Sequence, residues 1–178
     1  MRKANPIKKQ PIKLSIRLKT NVEGGAALGL WSGMILGIGT DLTRIERIEE
    51  TLQKHGTRFV QRCFGMEETE KIEKAAATAP HLRAAGYAKR WAAKEACAKA
   101  LGLGISNDIY LKDIIVVNSP DGQPQLVLSG GAKDRLTAIT PQGMTARIDV
   151  SLTDEALGEK AAGGMALAFV VISAEAAG

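Results

Sequence analysis

The chain is poor in the residue types that build disulfide, zinc or membrane proteins. It has 178 residues, of which two are cysteine, two are histidine and 4% are aromatic. Cys63 and Cys97 have no CxxC spacing, so they predict small buried groups in a reducing compartment. No apolar run approaches the roughly 18 residues of a membrane span, and no basic-then-apolar secretory signal is recognisable. We therefore expect a cytoplasmic protein with no membrane partner.

What the chain does contain is the balance of one globular domain. Hydrophobic residues make up 45% of the sequence and charged residues 24%. A chain of this length buries roughly 70% of its unfolded surface, so its core needs no metal or disulfide for stability.

The positive charge is concentrated at the N-terminus. Residues 1–33 carry seven lysines and arginines against Glu23, a net +6, while the whole chain carries +5, so residues 34–178 carry −1. We expect this basic segment to be disordered and to lie outside the domain. An upstream start codon explains it, since Met34 opens an apolar strand. An arm that binds RNA or a membrane surface is the alternative.

From Met34 onward the pattern predicts an α+β fold in which helices pack on an antiparallel sheet. An apolar strand at residues 34–39 is expected to turn into a helix capped by Thr40, with Asp41 in its first turn. An alanine-rich central helix follows at about residues 82–101 and stops at Gly102. The remaining predicted elements are a short helix at 67–77, strands at 113–118 and 125–128, a helix at 130–139, and strands at 145–153 and 165–173.

The long helix carries the first candidate site residue. Tyr87, Trp91, Glu95 and Lys99 are spaced four apart and so share one face. The neighbouring alanines let the helix approach the sheet closely, which would draw Glu95 partly out of water. A simple surface pair between Glu95 and Lys99 explains the same spacing.

A second carboxylate, Asp41, follows a strand with two glycines. It could be an ordinary charge at a helix terminus. If separate helices brought Asp41 and Glu95 together, their oxygens would suit Mg²⁺, which keeps several waters and takes other ligands from substrate phosphates. Gly102 and Gly104 could cradle a phosphate or merely stop the helix. Arg47, Arg58 and Arg62 could face an acidic partner or form a solvated helix face.

Four segments together resemble the holo-[acyl-carrier-protein] synthase family. They are GIGTDLTRIERI, RWAAKEACAKALGLGI, DIIVVNSPDGQPQLVLSGGA and DVSLTDE with the apolar strand that follows. The resemblance spans residues 34 to about 173 and implies the 4′-phosphopantetheinyl transferase fold for residues 34–178. The chain length fits the small bacterial type, whose members are homotrimers with active sites between subunits.

The resemblance implies an enzyme of fatty acid biosynthesis that transfers 4′-phosphopantetheine from coenzyme A to a serine of apo-acyl carrier protein. Asp41 and Glu95 match the family's Mg²⁺ ligands and Lys99 its active-site lysine. Lys99, Gly102 and Gly104 would bind coenzyme A, and Arg47, Arg58 and Arg62 match the docking arginines for acyl carrier protein. A metal-bound water or a nearby carboxylate would deprotonate the serine.

One departure concerns Asp154. Many family members have a histidine in the strand-end motif where this chain reads Ser151 to Asp154. Asp154 is either a turn residue at the end of the strand or a carboxylate of the site. Because of this departure, a noncatalytic coenzyme A or carrier-protein binding module is the alternative to the transferase, and a nucleic-acid arm at residues 1–33 is a third hypothesis.

Overall fold

The computed structural model describes residues 33–106, 108–155 and 164–176. Its order is β1 (Met34–Arg44), α1 (Ile45–Cys63), α2 (Met66–Thr78), α3 (Leu82–Ala100), a 3-10 turn (Leu111–Asp113), β2 (Ile114–Asn118), β3 (Pro124–Leu128), α4 (Gly130–Ile139), β4 (Met144–Glu155) and β5 (Met165–Ala176). The predicted extension at residues 1–33 lies, except for Gly33, outside these residues.

The first sheet has three antiparallel strands in the order β1-β5-β4. Asp41 is paired with Ala168 of β5, and the pairing continues to Arg44 and Met165. The prediction that the chain turns into a helix at Thr40 is therefore wrong, and α1 begins at Ile45. Hydrogen bonding to β5 keeps the chain extended for five residues beyond Gly39, so Thr40 caps no helix and Asp41 is a strand residue.

Helix α3 packs against this sheet, as the run of alanines predicted. Ala92, Ala96 and Ala100 are buried in a core that includes Ala168 and Val170 of β5. A Cβ on Gly39 would overlap the carbonyl oxygen of Ala96 and lie 2.7 Å from the Ala100 nitrogen. Glycine on the strand and alanine on the helix thus bring the two backbones together.

The second sheet pairs β2 with β3, joined by the predicted turn at residues 120–122. The sequence anticipated antiparallel strands here but not their separation from β1, β5 and β4. Helices α2 and α4 match their predicted positions within two residues. Among the described residues, no helix is both long and apolar enough to cross a membrane.

Candidate active site

Asp41 lies on β1 with both carboxylate oxygens engaged. The Thr43 hydroxyl donates to Oδ2 at 2.7 Å. Lys99 Nζ donates to Oδ1 at 2.8 Å and to the Thr40 carbonyl at 2.9 Å. Asp41 and Thr43 share one strand face because they are two residues apart. Sequence reasoning missed Thr43 because it placed this segment in a helix.

Glu95 projects from α3 beside Asp41 and is half-buried. Burial raises the pKa of its carboxyl group, and the negative charge of Asp41 raises it further. The charges of Lys99 and Arg47 act on the same pKa in the opposite direction. Charged groups from β1, α1 and α3 therefore act together on the pKa of Glu95. The carboxylates come from a strand and a helix rather than from the two helices that the sequence suggested.

Lys99 joins the helix to the strand. Among the residues that the structure describes, Lys99 forms its ion pair with Asp41 and not with Glu95. The interpretation of Glu95 and Lys99 as a surface pair of one helix is therefore wrong. Lys99 is about half-exposed, so its ammonium group is available to an anionic ligand as well as to Asp41.

The chemistry of this cluster fits Mg²⁺. The charge of Asp41 raises the pKa of Glu95, so the two carboxylates lie close enough to repel each other. A divalent cation between them would relieve this repulsion. Within the described ranges no group of three or more His, Cys, Asp or Glu side chains could hold a metal. A site with two protein carboxylates matches the habit of Mg²⁺, which takes its remaining ligands from water and substrate phosphates.

The glycines after α3 end the helix as predicted. Gly102 and Gly104 have backbone φ angles of 82° and 67°, which residues other than glycine rarely adopt. Their backbone nitrogens donate to the carbonyls of Lys99 at 2.9 Å and Ala98 at 3.0 Å. A Cβ on Gly104 would meet nothing within 4 Å, so the backbone there is open to a ligand.

The three candidate docking arginines lie on α1 but do not form one cluster. Arg58 and Arg62 line a cavity of about 320 Å³ with His55 and Phe59. Gly56, with φ 47° and ψ −130°, breaks the helix between this cavity and Arg47. Arg47 lies near Glu95 instead, as its effect on the pKa of that carboxyl group shows. Arg47 therefore lies on the side of the carboxylates, whereas Arg58 and Arg62 lie at the cavity.

Asp154 is not a turn residue. It lies within β4, paired with Ala166 of β5, and forms an ion pair with Lys89 of α3 at 2.7 Å. The strand continues to Glu155 because its pairing with β5 runs on to Met165. Asp154 therefore links the end of β4 to the middle of α3.

Comparisons with known proteins identify the family of this chain. Residues 37–152 match the 4′-phosphopantetheinyl transferase superfamily. Over 141 residues the chain is 54% identical to holo-[acyl-carrier-protein] synthase from Rhodopseudomonas palustris strain TIE-1, a match that covers 79% of this chain and 91% of that protein. The chain belongs to the holo-[acyl-carrier-protein] synthase family. The predicted resemblance is therefore confirmed.

Solved structures of holo-[acyl-carrier-protein] synthases share the fold. The enzyme from Neisseria meningitidis superposes with a TM-score of 0.63 at 32% identity, covering 78% of this chain and 98% of that one. The enzyme from Helicobacter pylori, solved in complex with coenzyme A, gives 0.59 at 26% identity over 76% and 98% of the two chains. The predicted α+β synthase fold, with antiparallel strands and a long central helix, is confirmed.

Proposed function

We infer that this chain transfers the 4′-phosphopantetheine group of coenzyme A to a serine of apo-acyl carrier protein, a step of fatty acid biosynthesis. The observation that carries this inference is the 54% identity to a holo-[acyl-carrier-protein] synthase. The structure adds that Asp41, Glu95 and Lys99 lie together. The serine hydroxyl loses its proton to a base, and its oxygen bonds to the phosphorus next to pantetheine. The bond from that phosphorus to the bridging oxygen breaks, and adenosine 3′,5′-bisphosphate leaves.

We propose that Asp41 and Glu95 hold Mg²⁺. When bound, the cation would neutralise negative charge on the pyrophosphate during transfer. Lys99 stands one helical turn beyond Glu95 and adds a positive charge that can bind phosphate oxygens. Gly102 and Gly104 are proposed to let coenzyme A approach the backbone after α3. A Cβ on Gly104 would meet nothing within 4 Å, and a Cβ on Gly102 would lie 3.5 Å from the Arg135 guanidinium, which adds positive charge on that side.

Arg47, Arg58 and Arg62 are proposed to dock the acidic carrier protein. All three are exposed on α1, and Arg58 and Arg62 line one cavity, so their positive charges are available to an acidic partner. Reversing Arg58 or Arg62 to Glu should raise the KM for carrier protein about tenfold or more and leave the KM for coenzyme A nearly unchanged, since a rim charge acts on association. Lys133→Glu on α4 makes the same charge change as a control. Equal effects on both KM values would contradict the docking assignment.

A homotrimer is proposed from the outer face of the first sheet. Five large apolar side chains are exposed there, Ile35, Ile38 and Leu42 on β1 and Leu167 and Phe169 on β5. A contiguous apolar patch of this kind marks a surface that another protein covers. Leu42 follows Asp41 in β1, but the two side chains leave opposite faces of the sheet. The patch therefore supports association of copies through the face that does not carry the carboxylates.

The experiment that tests the proposed function is intact-mass analysis of apo-acyl carrier protein incubated with coenzyme A, Mg²⁺ and this chain. A gain of one phosphopantetheine group, absent without enzyme or with a chelator, is expected. A folded protein that binds coenzyme A but modifies no carrier protein would favour the noncatalytic binding module. We also propose a cytoplasmic location, which the free, buried state of Cys63 and Cys97 supports.

A further inference from the structure

The motif that carries Glu95 and Lys99 also contains a lysine with a different environment. Lys94 is fully buried, and its ammonium pairs at 2.8 Å with Glu68 of α2, which is also fully buried. The ammonium also donates to the carbonyl of Leu111 at 3.1 Å and to that of Ile114. It lies 5.5 Å from the ring centre of Phe64. Lys94 thus touches α2, the 3-10 turn and β2, but none of the groups of the active site.

Glu68 completes this buried polar cluster. Besides Lys94, its carboxylate accepts hydrogen bonds from Gly65 N at 2.7 Å and Val116 N at 3.1 Å. A buried ion pair with its hydrogen bonds satisfied adds little net stability over apolar side chains of similar size, because desolvation offsets the attraction between the charges. Its more specific contribution is to fix one geometry. That makes the pair a candidate for positioning rather than for stability.

The direction in which Lys94 leaves α3 shows what it could position. Successive residues of an α-helix are about 100° apart around its axis. Lys94 and Ala96 therefore leave opposite sides of α3, and Glu95 lies between them. On the Ala96 side the contact is smooth, since glycines of β1 meet the backbone of α3. Such a contact fixes the distance between helix and strand, whereas groups on the other sides of the helix, Lys94 and the Lys89–Asp154 ion pair among them, restrict its rotation.

We propose that the buried Glu68–Lys94 pair fixes the rotation of α3 and so holds Glu95 and Lys99 toward Asp41. Lys94 is in this sense a positioning residue. A roll of about 10° moves an atom ~6 Å from the helix axis by about 1 Å. A misplacement of about 1 Å can reduce a rate about 100-fold. The proposal rests on the proposed function for its kinetic consequence, but its structural consequence for the carboxylates is independent of it.

The test replaces the pair without changing the net charge. The double variant Glu68→Gln/Lys94→Met should remain folded, with a Tm within a few degrees of the parent, because neutral replacements of a buried pair are tolerated. Its kcat should fall about 100-fold, while the KM for acyl carrier protein stays within about twofold because the arginines of α1 are untouched. Mn²⁺ binding, followed by electron paramagnetic resonance, should weaken about tenfold as the carboxylates move apart.

A matched control removes another ion pair between α2 and α3. Arg83 and Glu73 pair at 2.8 Å, but both side chains are 40% exposed. Glu73→Gln/Arg83→Met should keep kcat and Mn²⁺ affinity within about twofold of the parent, since exposed pairs constrain little. If the first double variant fails to fold, Glu68→Asp takes its place. It keeps the charges but shortens the carboxylate arm, and it should lower kcat without changing the carrier-protein KM.

A folded Glu68→Gln/Lys94→Met variant with the parent's kcat and Mn²⁺ affinity would overturn the positioning role. A parent chain that modifies no carrier protein would instead refute the proposed function. In that case the Mn²⁺ comparison between parent and variant still decides the inference.

Discussion

At the scale of single residues, the site depends on one carboxylate held in place and one kept partly out of water. Thr43 and Lys99 fix the two oxygens of Asp41, whereas burial and the charge of Asp41 raise the pKa of Glu95. The helical spacing of Glu95 and Lys99 could be read from the sequence. Their meeting with Asp41 could not, because it depends on how β1 pairs with β5 and how closely α3 packs on it. The glycines before Asp41 made it a candidate, and the family resemblance gave it a role.

Glu95→Gln separates function from stability. Because the pKa of Glu95 is raised in the folded chain, its neutral form favours folding below the ordinary pKa, and that contribution is lost as pH rises through the raised value. At neutral pH the charged group therefore destabilises the fold in the presence of chelator. Glu95→Gln should raise the Tm by about 2–4 °C under those conditions and abolish turnover. Calorimetry with chelator and an activity assay with Mg²⁺ measure the two effects.

The contradictory outcome is a variant that turns over normally at saturating Mg²⁺, which would remove Glu95 from the metal site. The pH dependence provides a second check. Mn²⁺ affinity of the parent should fall as pH drops through the raised pKa of Glu95, at a higher pH than for a solvent-exposed glutamate.

At the scale of elements, the positions of the helices from α2 onward were predictable, whereas the C-terminal ends of β1 and β4 were not. The alanine-rich pattern placed α3, and glycine placed its end. Around residue 42 the apolar spacing fitted a helix as well as a strand. Leu42 is 59% exposed on the outer face of the sheet, while Ile45 and Ile48 are buried. In the sequence pattern, Leu42 therefore looked like the first buried residue of a helix, although it lies on the exposed face of a strand.

Gly39→Ala tests the close contact between β1 and α3. The added methyl group would overlap the Ala96 carbonyl, so α3 must move away from the strand. Overpacking of this kind costs about 1–3 kcal/mol, and both the free energy of unfolding and kcat should decrease. Denaturant titration and the transfer assay measure them. Gly33→Ala is the control, because its methyl group would meet only ordinary contacts at 3.4 Å or more. Equal stability of the two variants would contradict the contact.

At the scale of the whole molecule, the domain and its basic N-terminal segment are expected to act separately. The segment contributes the excess positive charge, whereas residues 34–178 are nearly neutral and slightly acidic. The family match begins at Gly37. Composition made the charge asymmetry predictable, whereas the proposed association between copies rests on an exposed apolar sheet face that only the folded chain reveals.

A chain that starts at Met34 should keep the parent's kcat/KM within about twofold and its Tm within a few degrees. The reason is that the site residues all lie within 34–178, so no contact described for them is lost. Binding of the full-length chain to RNA, measured at low and high salt, is the accompanying test. Steeply salt-dependent binding that disappears with the deletion would favour the nucleic-acid arm instead.

Phe169→Asp tests the proposed trimer. Phe169 is 43% exposed on β5, so a charge there costs the isolated fold little but would be buried in an interface between copies. Light scattering should show a trimer for the parent and a smaller species for the variant, together with reduced turnover. A matched change on α4, Thr137→Asp, should leave the mass unchanged. A monomeric and fully active parent would contradict the trimer.

The most direct test of the central claim compares the parent with Asp41→Asn and Glu95→Gln in one intact-mass experiment on apo-acyl carrier protein, across a titration of Mg²⁺. A Mg²⁺-dependent gain of one phosphopantetheine group is expected with the parent and none with either folded variant. Transfer by both variants at the parent's rate, or transfer by the parent in the presence of chelator, would contradict it.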